Sequence, residues 1–341
     1  MHLPEARGIA SQSIFRLIGG APTDGVADVV AAVTDAVHRT ADILHDDDLQ
    51  VALFVLYELH YRGVDDVDER WEWHPGLLGV RAIIETAFEA RLREVVPVPD
   101  RPAPTRREVA DALFSLTAAD DGPSLSRYVA KSATDEQLHE FLIQRSIYQL
   151  KEADPHSWAI PRLEGVAKAV LVEIQQDEYG GGRPERVHQT IYRDAMRALE
   201  LDPEYGAYAD RVSAITFASS NLMSLFGLHR RLRGAIVGHL AAYEMTSSIP
   251  CRLVSKGFRR AGYEGATAYF DEHVEADAVH EQIAGRDLAG GLVEADPHLL
   301  DDVMFGASAC LTVDGMMAGS ILESWERGES SLRQPAKAVA A

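Results

Sequence analysis

Helical periodicity runs through almost the whole chain and constrains its fold more than any other feature. Between residues 26 and 61, apolar side chains such as Val51, Phe54 and Tyr57 recur every three or four positions, as on one face of a helix. Alternating apolar and polar residues, and the dipeptides typical of β-hairpins, are nearly absent. The sequence therefore predicts an all-α protein.

Helices are predicted along most of the chain, separated by polar, glycine or proline residues. Thr105 begins the sequence Thr-Arg-Arg-Glu, which is typical of a helix N-terminus. The predicted helices cover residues 26–61 with a turn at 46–48, 76–95, 109–116, 123–130, 134–152, 161–178, 184–199, 207–226, 228–246, 248–261, 264–284 and 294–325.

Four prolines between residues 97 and 104 interrupt this pattern, because proline cannot continue a regular helix. We expect them to form a linker or an extended strap between two helical regions. The predicted organisation is an N-terminal helical segment with an interface or packing role at 1–96, a Pro-rich linker at 97–104, a main domain at 105–327 and a flexible tail at 328–341.

The charge balance excludes several classes of partner. The chain has 33 Lys and Arg residues against 53 Asp and Glu residues, which gives a formal net charge of −20. Binding to nucleic acids or anionic membranes requires clustered basic residues, so we expect neither. The N-terminus lacks a signal-peptide pattern, and no apolar run approaches the roughly 18 residues of a membrane span. We expect a soluble, cytoplasmic protein.

Cysteine-based cofactor sites are also excluded. The chain has two cysteines, Cys251 and Cys310. Two thiols are too few for a four-thiolate zinc site or an iron–sulfur cluster. Imidazole and carboxylate groups are therefore the main candidates for the ligands of a metal centre.

Such ligands occur together between residues 270 and 281. On a helix, His273, Asp277 and His280 lie at positions i, i+4 and i+7 and share one stripe. Two imidazoles and a carboxylate on one stripe provide half of a metal site. The alternative for this segment alone is a solvated polar helix face.

The other half of a metal site requires acidic residues from facing helices. Glu244 lies in a nearly uncharged helical stretch, and a buried carboxylate is costly unless it is paired or metal-bound. Glu178 follows an apolar stretch, and the glycines at 180–182 allow the chain to bend so that His188 can approach it. Glu152 ends another helical stretch.

In this order, the candidate residues resemble the heme-oxygenase-like di-iron oxidases and oxygenases, an iron-containing redox enzyme family, and especially its N-oxygenating members. The separations are 26 residues from Glu152 to Glu178, 10 from Glu178 to His188 and 29 from Glu244 to His273. The resemblance covers roughly residues 105–325. The resembling segments are KEADPHSWAIPR at 151–162, DEYGGG at 177–182 followed by His188, YE at 243–244, and His273-x3-Asp277-x2-His280.

The resemblance implies a heme-oxygenase-like helical bundle, here with an additional N-terminal helical segment, that binds two iron ions and no heme. Glu152, Glu178 and His188 would bind one iron, and Glu244 would lie near or bridge both. The second iron would be completed by His273, Asp277 and His280. O2 would be the cosubstrate, and the reaction would pass through a peroxo-di-iron(III) intermediate.

The implied activity is oxidation of a small amino acid or an amine in specialised biosynthesis, with N-oxygenation favoured by the ligand spacings. Desaturation, ring closure or C–C cleavage of an aliphatic amino acid by the same centre is the alternative reaction. A non-catalytic helical protein that binds a metal or another ligand is the alternative from a different class. Fold and ligand set do not by themselves determine the reaction.

Four residues beside the proposed ligands are candidates for substrate binding. Arg162 and Arg252 could bind a substrate carboxylate, and internal salt bridges are the alternative. Tyr243 and Tyr269 could contact the substrate, hydrogen-bond a ligand or simply pack. The expected partners are the small-molecule substrate, an external electron donor and a second copy of the chain in a homodimer.

Overall fold

The computed structural model describes residues 1–20, 25–119, 122 and 124–334, without the side chains of 275–279. These residues form helices and contain no β-strand, which confirms the predicted all-α class. The α-helices are α1 Ile9–Ile18, α2 Val26–Arg39, α3 Asp47–Glu58, α4 Pro75–Val95, α5 Arg106–Ala118, α6 Leu125–Lys131, α7 Asp135–Gln149, α8 Asp154–Ser157, α9 Gly165–Glu178, α10 His188–Ala198, α11 Ala214–Leu228, α12 Arg233–Arg260, α13 Ala268–Ile283, α14 Gly291–Ala295 and α15 Leu300–Glu326.

Side-chain caps begin several of these helices where the sequence predicts them. The Asp46 carboxylate accepts a hydrogen bond from the Leu49 amide at the start of α3 (2.9 Å). The Thr105 hydroxyl accepts one from the Glu108 amide at the start of α5 (3.3 Å). Each cap satisfies an amide that has no partner within its helix.

Helices α12 and α15 pack closely along each other in the centre of the bundle. A Cβ atom on Gly238 would lie 1.9 Å from the Val303 carbonyl oxygen, and one on Gly306 would lie 2.0 Å from the Ala235 carbonyl oxygen. Only glycine allows the two backbones to approach this closely. The segment Pro297–Glu326 has the length and apolar composition of a membrane span. Here its apolar side chains, Val303 among them, contribute to the protein core.

The N-terminal helices share the hydrophobic core of the main bundle. Helix α3 packs on α11, where the rings of Phe54 and Phe217 lie 4.7 Å apart. Beneath this contact, Lys151 Nζ lies 2.5 Å from Glu58 Oε1, and both side chains are fully buried. Because each charge is removed from water, each requires the other. This pair connects the N-terminal helices to the residue before Glu152.

The structure corrects the predicted break between residues 246 and 248. Helix α12 continues through Pro250, which lacks the amide that would bond to the Thr246 carbonyl. A missing hydrogen bond does not end this helix, because packing against α13 and α15 supports both halves. The predictions also missed α1, and they left 285–293 without structure where a π-helical segment, Ala284–Gly290, leads into α14.

The predicted flexible tail is also corrected in part. Glu140 is buried and accepts hydrogen bonds from the Ser330 hydroxyl (2.5 Å), the Ser331 amide (2.8 Å) and the Trp325 indole (2.7 Å). These bonds compensate a buried carboxylate, and they hold the first part of the tail on the bundle. Residues 335–341 lie outside the described residues.

Candidate metal centre

Four buried side chains meet where α7, α9, α10 and α13 approach one another. Glu152 follows α7, Glu178 ends α9, His188 begins α10, and His273 lies on α13. One ligand atom of each lies within 4.8 Å of the others. We call these four residues the first metal group.

A glycine turn brings Glu178 and His188 together. Gly180, Gly181 and Gly182 all have positive φ angles, which glycine adopts without strain. At Gly180 a Cβ atom would also lie 2.6 Å from the backbone carbon of Arg186. The turn therefore depends on glycine for both its conformation and its tightness, and it reverses the chain between the two ligand residues.

A second set of ligands overlaps the first. Glu178, Glu244 and His280 offer atoms that all lie within 4.8 Å of one another, and all three side chains are buried. We call them the second metal group. Glu178 belongs to both groups, so its two carboxylate oxygens can serve two neighbouring metal ions.

Hydrogen bonds orient two of the imidazoles. His273 donates from Nδ1 to the carbonyl oxygen of Tyr269 (2.7 Å), so its Nε2 atom faces Glu152 Oε1 at 3.3 Å. His280 Nε2 lies 3.0 Å from Asp177 Oδ2, and its Nδ1 atom faces Glu244 Oε2 at 3.5 Å. Metal-binding histidines are typically held in this way, with one ring nitrogen bonded outward and the other directed to the metal.

The contact between His188 and Glu178 has the geometry of two ligands rather than of a hydrogen bond. His188 Nδ1 lies 2.9 Å from Glu178 Oε2. This buried nitrogen nevertheless has no hydrogen-bond partner among the described residues. A nitrogen and a carboxylate oxygen at this separation could both bind one metal ion.

In the two metal groups, the imidazoles and the carboxylates shift each other's pKa values. Burial raises the pKa of Glu178, but the neighbouring imidazoles, led by His188, outweigh burial and lower it to about 2. Burial opposes the protonation of His280, but the Glu244 carboxylate outweighs it and raises the pKa of His280 to about 9. Protons on the imidazoles thus balance the buried carboxylates, and a metal cation must replace them.

The donor set fits iron. The described residues supply three carboxylates and three imidazoles, and all six side chains are less than 9% exposed. Oxygen and imidazole nitrogen donors suit Fe(II), Fe(III) and Mn(II), and three carboxylates offset most of the charge of two ferrous ions. A helical bundle provides such ligands from several facing helices.

Six of the seven predicted ligands therefore lie together in the structure. The side chain of the seventh, Asp277, lies outside the described residues. The grouping differs from the expected one, since His273 lies with the first group and the shared residue is Glu178. Glu244, which was expected near or between both irons, belongs to the second group alone. Sequence reasoning missed Asp177 as the partner of His280; its position next to Glu178 was the available signal.

A cavity of about 850 Å³ opens beside both groups. Its wall includes Glu152 and Glu244 and many apolar side chains, so it has the size and lining of a small-molecule site. Tyr243 and Tyr269 line it, and the Tyr269 hydroxyl donates a hydrogen bond to Glu152. Arg162 instead donates to the carbonyl oxygens of Gly227 and Leu228.

Four charged residues in the cavity wall have no counterpart in the sequence predictions, Arg127 and Glu281 among them, and two of the four form an ion pair with each other. These two are Arg145 on α7 and Asp314 on α15. Arg252, which was predicted to bind a substrate carboxylate, is exposed and lies outside the cavity lining. Among the described residues, the arginines that line the cavity are Arg127 and Arg145, and neither Arg162 nor Arg252 is among them.

Comparison with known proteins agrees with this geometry. Residues 139–315 match the family model described as iron-containing redox enzyme. The chain belongs to this family. The matched range contains every residue of both metal groups, together with Arg145 and Asp314. The protein is thus an iron-containing oxidoreductase, and the two buried groups are the places where the described residues can hold the metal.

A curated relative adds a more specific similarity. The chain is 24% identical over 186 residues to a nitrosourea synthase from Streptomyces achromogenes subsp. streptozoticus. The aligned region covers 54% of this chain but 40% of that protein. The two proteins thus share one region, and the similarity does not extend over the length of the relative.

Proposed function

We propose that the protein is an O2-dependent, non-heme di-iron oxygenase that acts on a small amino acid or an amine. The observation that carries this proposal is the sharing of Glu178 by two groups of buried ligands beside one cavity. A single-metal site would not require a second set of ligands around the same carboxylate. The cavity provides room for a substrate next to both sets.

Insertion of one oxygen atom of O2 into the substrate, with release of the other as water, requires two electrons in addition to those of the substrate. Two ferrous ions held by these groups would supply these two electrons. In N-oxygenation, one atom of O2 enters an N–H bond of the substrate and the other leaves as water, with two electrons and two protons consumed. An external electron donor must then restore the ferrous state. This donor is part of the proposal.

The protein's own residues position the ligands and exclude water. All six described ligands are buried, so a bound substrate would close the remaining access from the cavity. His273 and His280 are fixed by the Tyr269 carbonyl and the Asp177 carboxylate, which directs the other nitrogen of each ring toward a carboxylate of its metal group. Ligands that are held in place before the metal binds need no rearrangement during the reaction.

Chemistry at nitrogen is supported by the relative, whose name denotes the synthesis of a nitrosourea. Desaturation, ring closure and C–C cleavage use the same two-iron chemistry and are distinguished by the product. N-oxygenation adds one oxygen atom to the substrate mass, desaturation and ring closure remove two hydrogen atoms, and C–C cleavage yields two fragments.

The test begins with anaerobic loading of the purified protein with Fe(II), followed by measurement of bound iron and of heme absorbance. The loaded protein is then mixed with O2 and a panel of amino acids and amines, and the products are identified by mass. We expect two equivalents of iron, no heme band, and O2 uptake that depends on one member of the panel.

A matched control separates the centre from the rest of the protein. Glu178→Ala should abolish O2 uptake, whereas Glu264→Ala, a change at an exposed glutamate outside both metal groups, should retain it. Failure of the folded wild-type protein to bind iron would contradict the proposal. Iron binding without O2 uptake in the presence of any panel member would favour the non-catalytic alternative. Homodimerisation stays a prediction, for which sedimentation is the direct measurement.

A further inference from the structure

Arg145 lies in a largely buried segment, where a cation destabilises the fold unless it is paired or binds a ligand. Residues 140–153 cover most of α7 and the turn that contains Glu152. Every one of them except Arg145 is buried. The Arg145 side chain is 23% exposed and lines the same cavity as Glu152. The guanidinium group is therefore accessible from the substrate side.

The guanidinium group has unused hydrogen-bonding capacity. Within the described part of the chain, no hydrogen bond to it is present, and its one ion-pair contact is Asp314 Oδ2 at 3.8 Å. This separation is too long for a hydrogen bond. An arginine carries five N–H donors, which match the two oxygens of a carboxylate. A carboxylate that enters the cavity can use donors that the protein leaves open.

Asp314 complements Arg145 and restricts what can bind beside it. One Asp314 oxygen accepts a hydrogen bond from the Ser219 hydroxyl (2.6 Å), which fixes the carboxylate in the wall. The other oxygen faces the guanidinium group across the 3.8 Å gap. A dianionic ligand would be repelled by Asp314 and a simple amine by Arg145. A zwitterion with both charges on neighbouring atoms is attracted by both residues.

We infer that Arg145 and Asp314 bind the α-carboxylate and the α-ammonium group of an amino-acid substrate. This inference rests on the proposed function and makes it more specific, because it fixes which end of the substrate reaches the metal. Asp314 belongs to neither metal group, so an α-nitrogen held there is not a metal ligand, and the side chain of the amino acid is the part left to reach the metal groups. The oxidised atom is therefore in the side chain.

Binding can be tested without turnover. The metal-free protein is screened by thermal shift against the twenty common L-amino acids and L-ornithine, and the tightest binder is measured by calorimetry. Its carboxamide, which lacks the carboxylate, and its α-deamino analogue, which lacks the ammonium group, are then compared with it. We expect each analogue to bind the wild-type protein at least tenfold more weakly than the parent amino acid.

The variants identify the residues responsible. Arg145→Gln should lower the affinity for the parent amino acid at least tenfold. It should lower the affinity for the carboxamide little further, because the carboxamide already lacks the interaction with Arg145. Asp314→Asn should behave in the same way with the deamino analogue. Arg145→Lys, which keeps the charge without the two-pronged geometry, should fall between. Arg39→Gln, at an exposed arginine of α2, should bind like the wild type.

The outcomes separate this inference from the proposed function. If no amino acid in the panel binds the folded protein, or if Arg145→Gln discriminates acid from carboxamide as the wild type does, the inference is wrong. If an amino acid binds through Arg145 but the protein takes up no iron, the inference stands and the di-iron function fails. Should Arg145→Gln fail to fold, Arg145→Lys with the carboxamide and Asp314→Asn with the deamino analogue test the same two residues, and discrimination as in the wild type would show the inference to be wrong.

Discussion

The Tyr269 hydroxyl lies 2.7 Å from each of the two carboxylate oxygens of Glu152. The same residue accepts the Nδ1 proton of His273 on its backbone carbonyl oxygen. Tyr269 thus fixes two members of the first metal group through different atoms. Its side chain and its backbone can be tested separately, because a substitution removes only the hydroxyl contribution.

Replacement of Tyr269 by phenylalanine should weaken metal binding at the first group. The Glu152 carboxylate would lose the hydrogen bond that orients it, while His273 would keep its backbone acceptor. Loss of a partner that orients a metal ligand typically lowers metal affinity by about 10- to 100-fold. Competitive titration with Mn(II) or Fe(II) measures this change. Tyr263→Phe, outside the cavity lining, is the control, and an equal loss there would contradict the explanation.

Glu178 and Glu244 should differ in how much metal their loss removes. Because Glu178 belongs to both groups and Glu244 to the second alone, Glu244→Ala should retain about one iron per chain and Glu178→Ala less than one. Elemental analysis after anaerobic loading and desalting gives these numbers. Equal stoichiometries in the two variants would show that Glu178 is not shared.

The glycine turn between Glu178 and His188 offers a matched pair of substitutions. Gly181→Ala introduces a Cβ atom into open space at a φ of 60°, so it should cost about 1 kcal/mol in the free energy of unfolding. Gly180→Ala adds a contact of 2.6 Å with the Arg186 backbone, so it should cost more and reduce iron binding. Denaturant titration and iron analysis measure both effects. Similar results for the two variants would argue against the tight turn.

Acid should destabilise the metal-free protein through His239. This histidine is fully buried beside His156, and burial lowers its pKa to about 3. As the pH falls below about 6.5, His239 is protonated in the unfolded chain but stays neutral in the folded chain. The free energy of unfolding therefore decreases. Between pH 6.5 and 5 the loss from one such group is about 2 kcal/mol.

The difference between the wild type and His239→Gln isolates this contribution from the metal ligands, whose raised imidazole pKa values act in the opposite direction. We expect the variant to show a flatter dependence of unfolding free energy on pH, measured by urea titration with chelator present. His298→Gln, at an exposed histidine, should follow the wild-type curve. A parallel curve for His239→Gln would contradict the assignment.

The all-α class and six of the candidate ligands could be predicted from the sequence because the signals are local. His273 and His280 repeat at helical spacing, and Glu244 is a charge in an apolar helix. The grouping could not be predicted, because it depends on how α10 and α13 pack. The same criterion that found Glu244 applies to Asp314, which also interrupts a largely apolar helix, but not to Arg145, because α7 contains many polar residues. Arg145 and Asp314 were missed because the sequence does not show which arginines and aspartates face the cavity, and Arg162 and Arg252 were chosen instead.

The buried pair of Lys151 and Glu58 has a consequence for the boundaries of this protein as an independent unit. The family match begins at residue 139, yet the ammonium group of Lys151 finds its counter-ion in a helix 93 positions earlier. A fragment restricted to the matched region would carry an uncompensated charge next to Glu152. The N-terminal helices are therefore not an exchangeable appendage, and recombination with another family member would have to transfer Glu58 and Lys151 together.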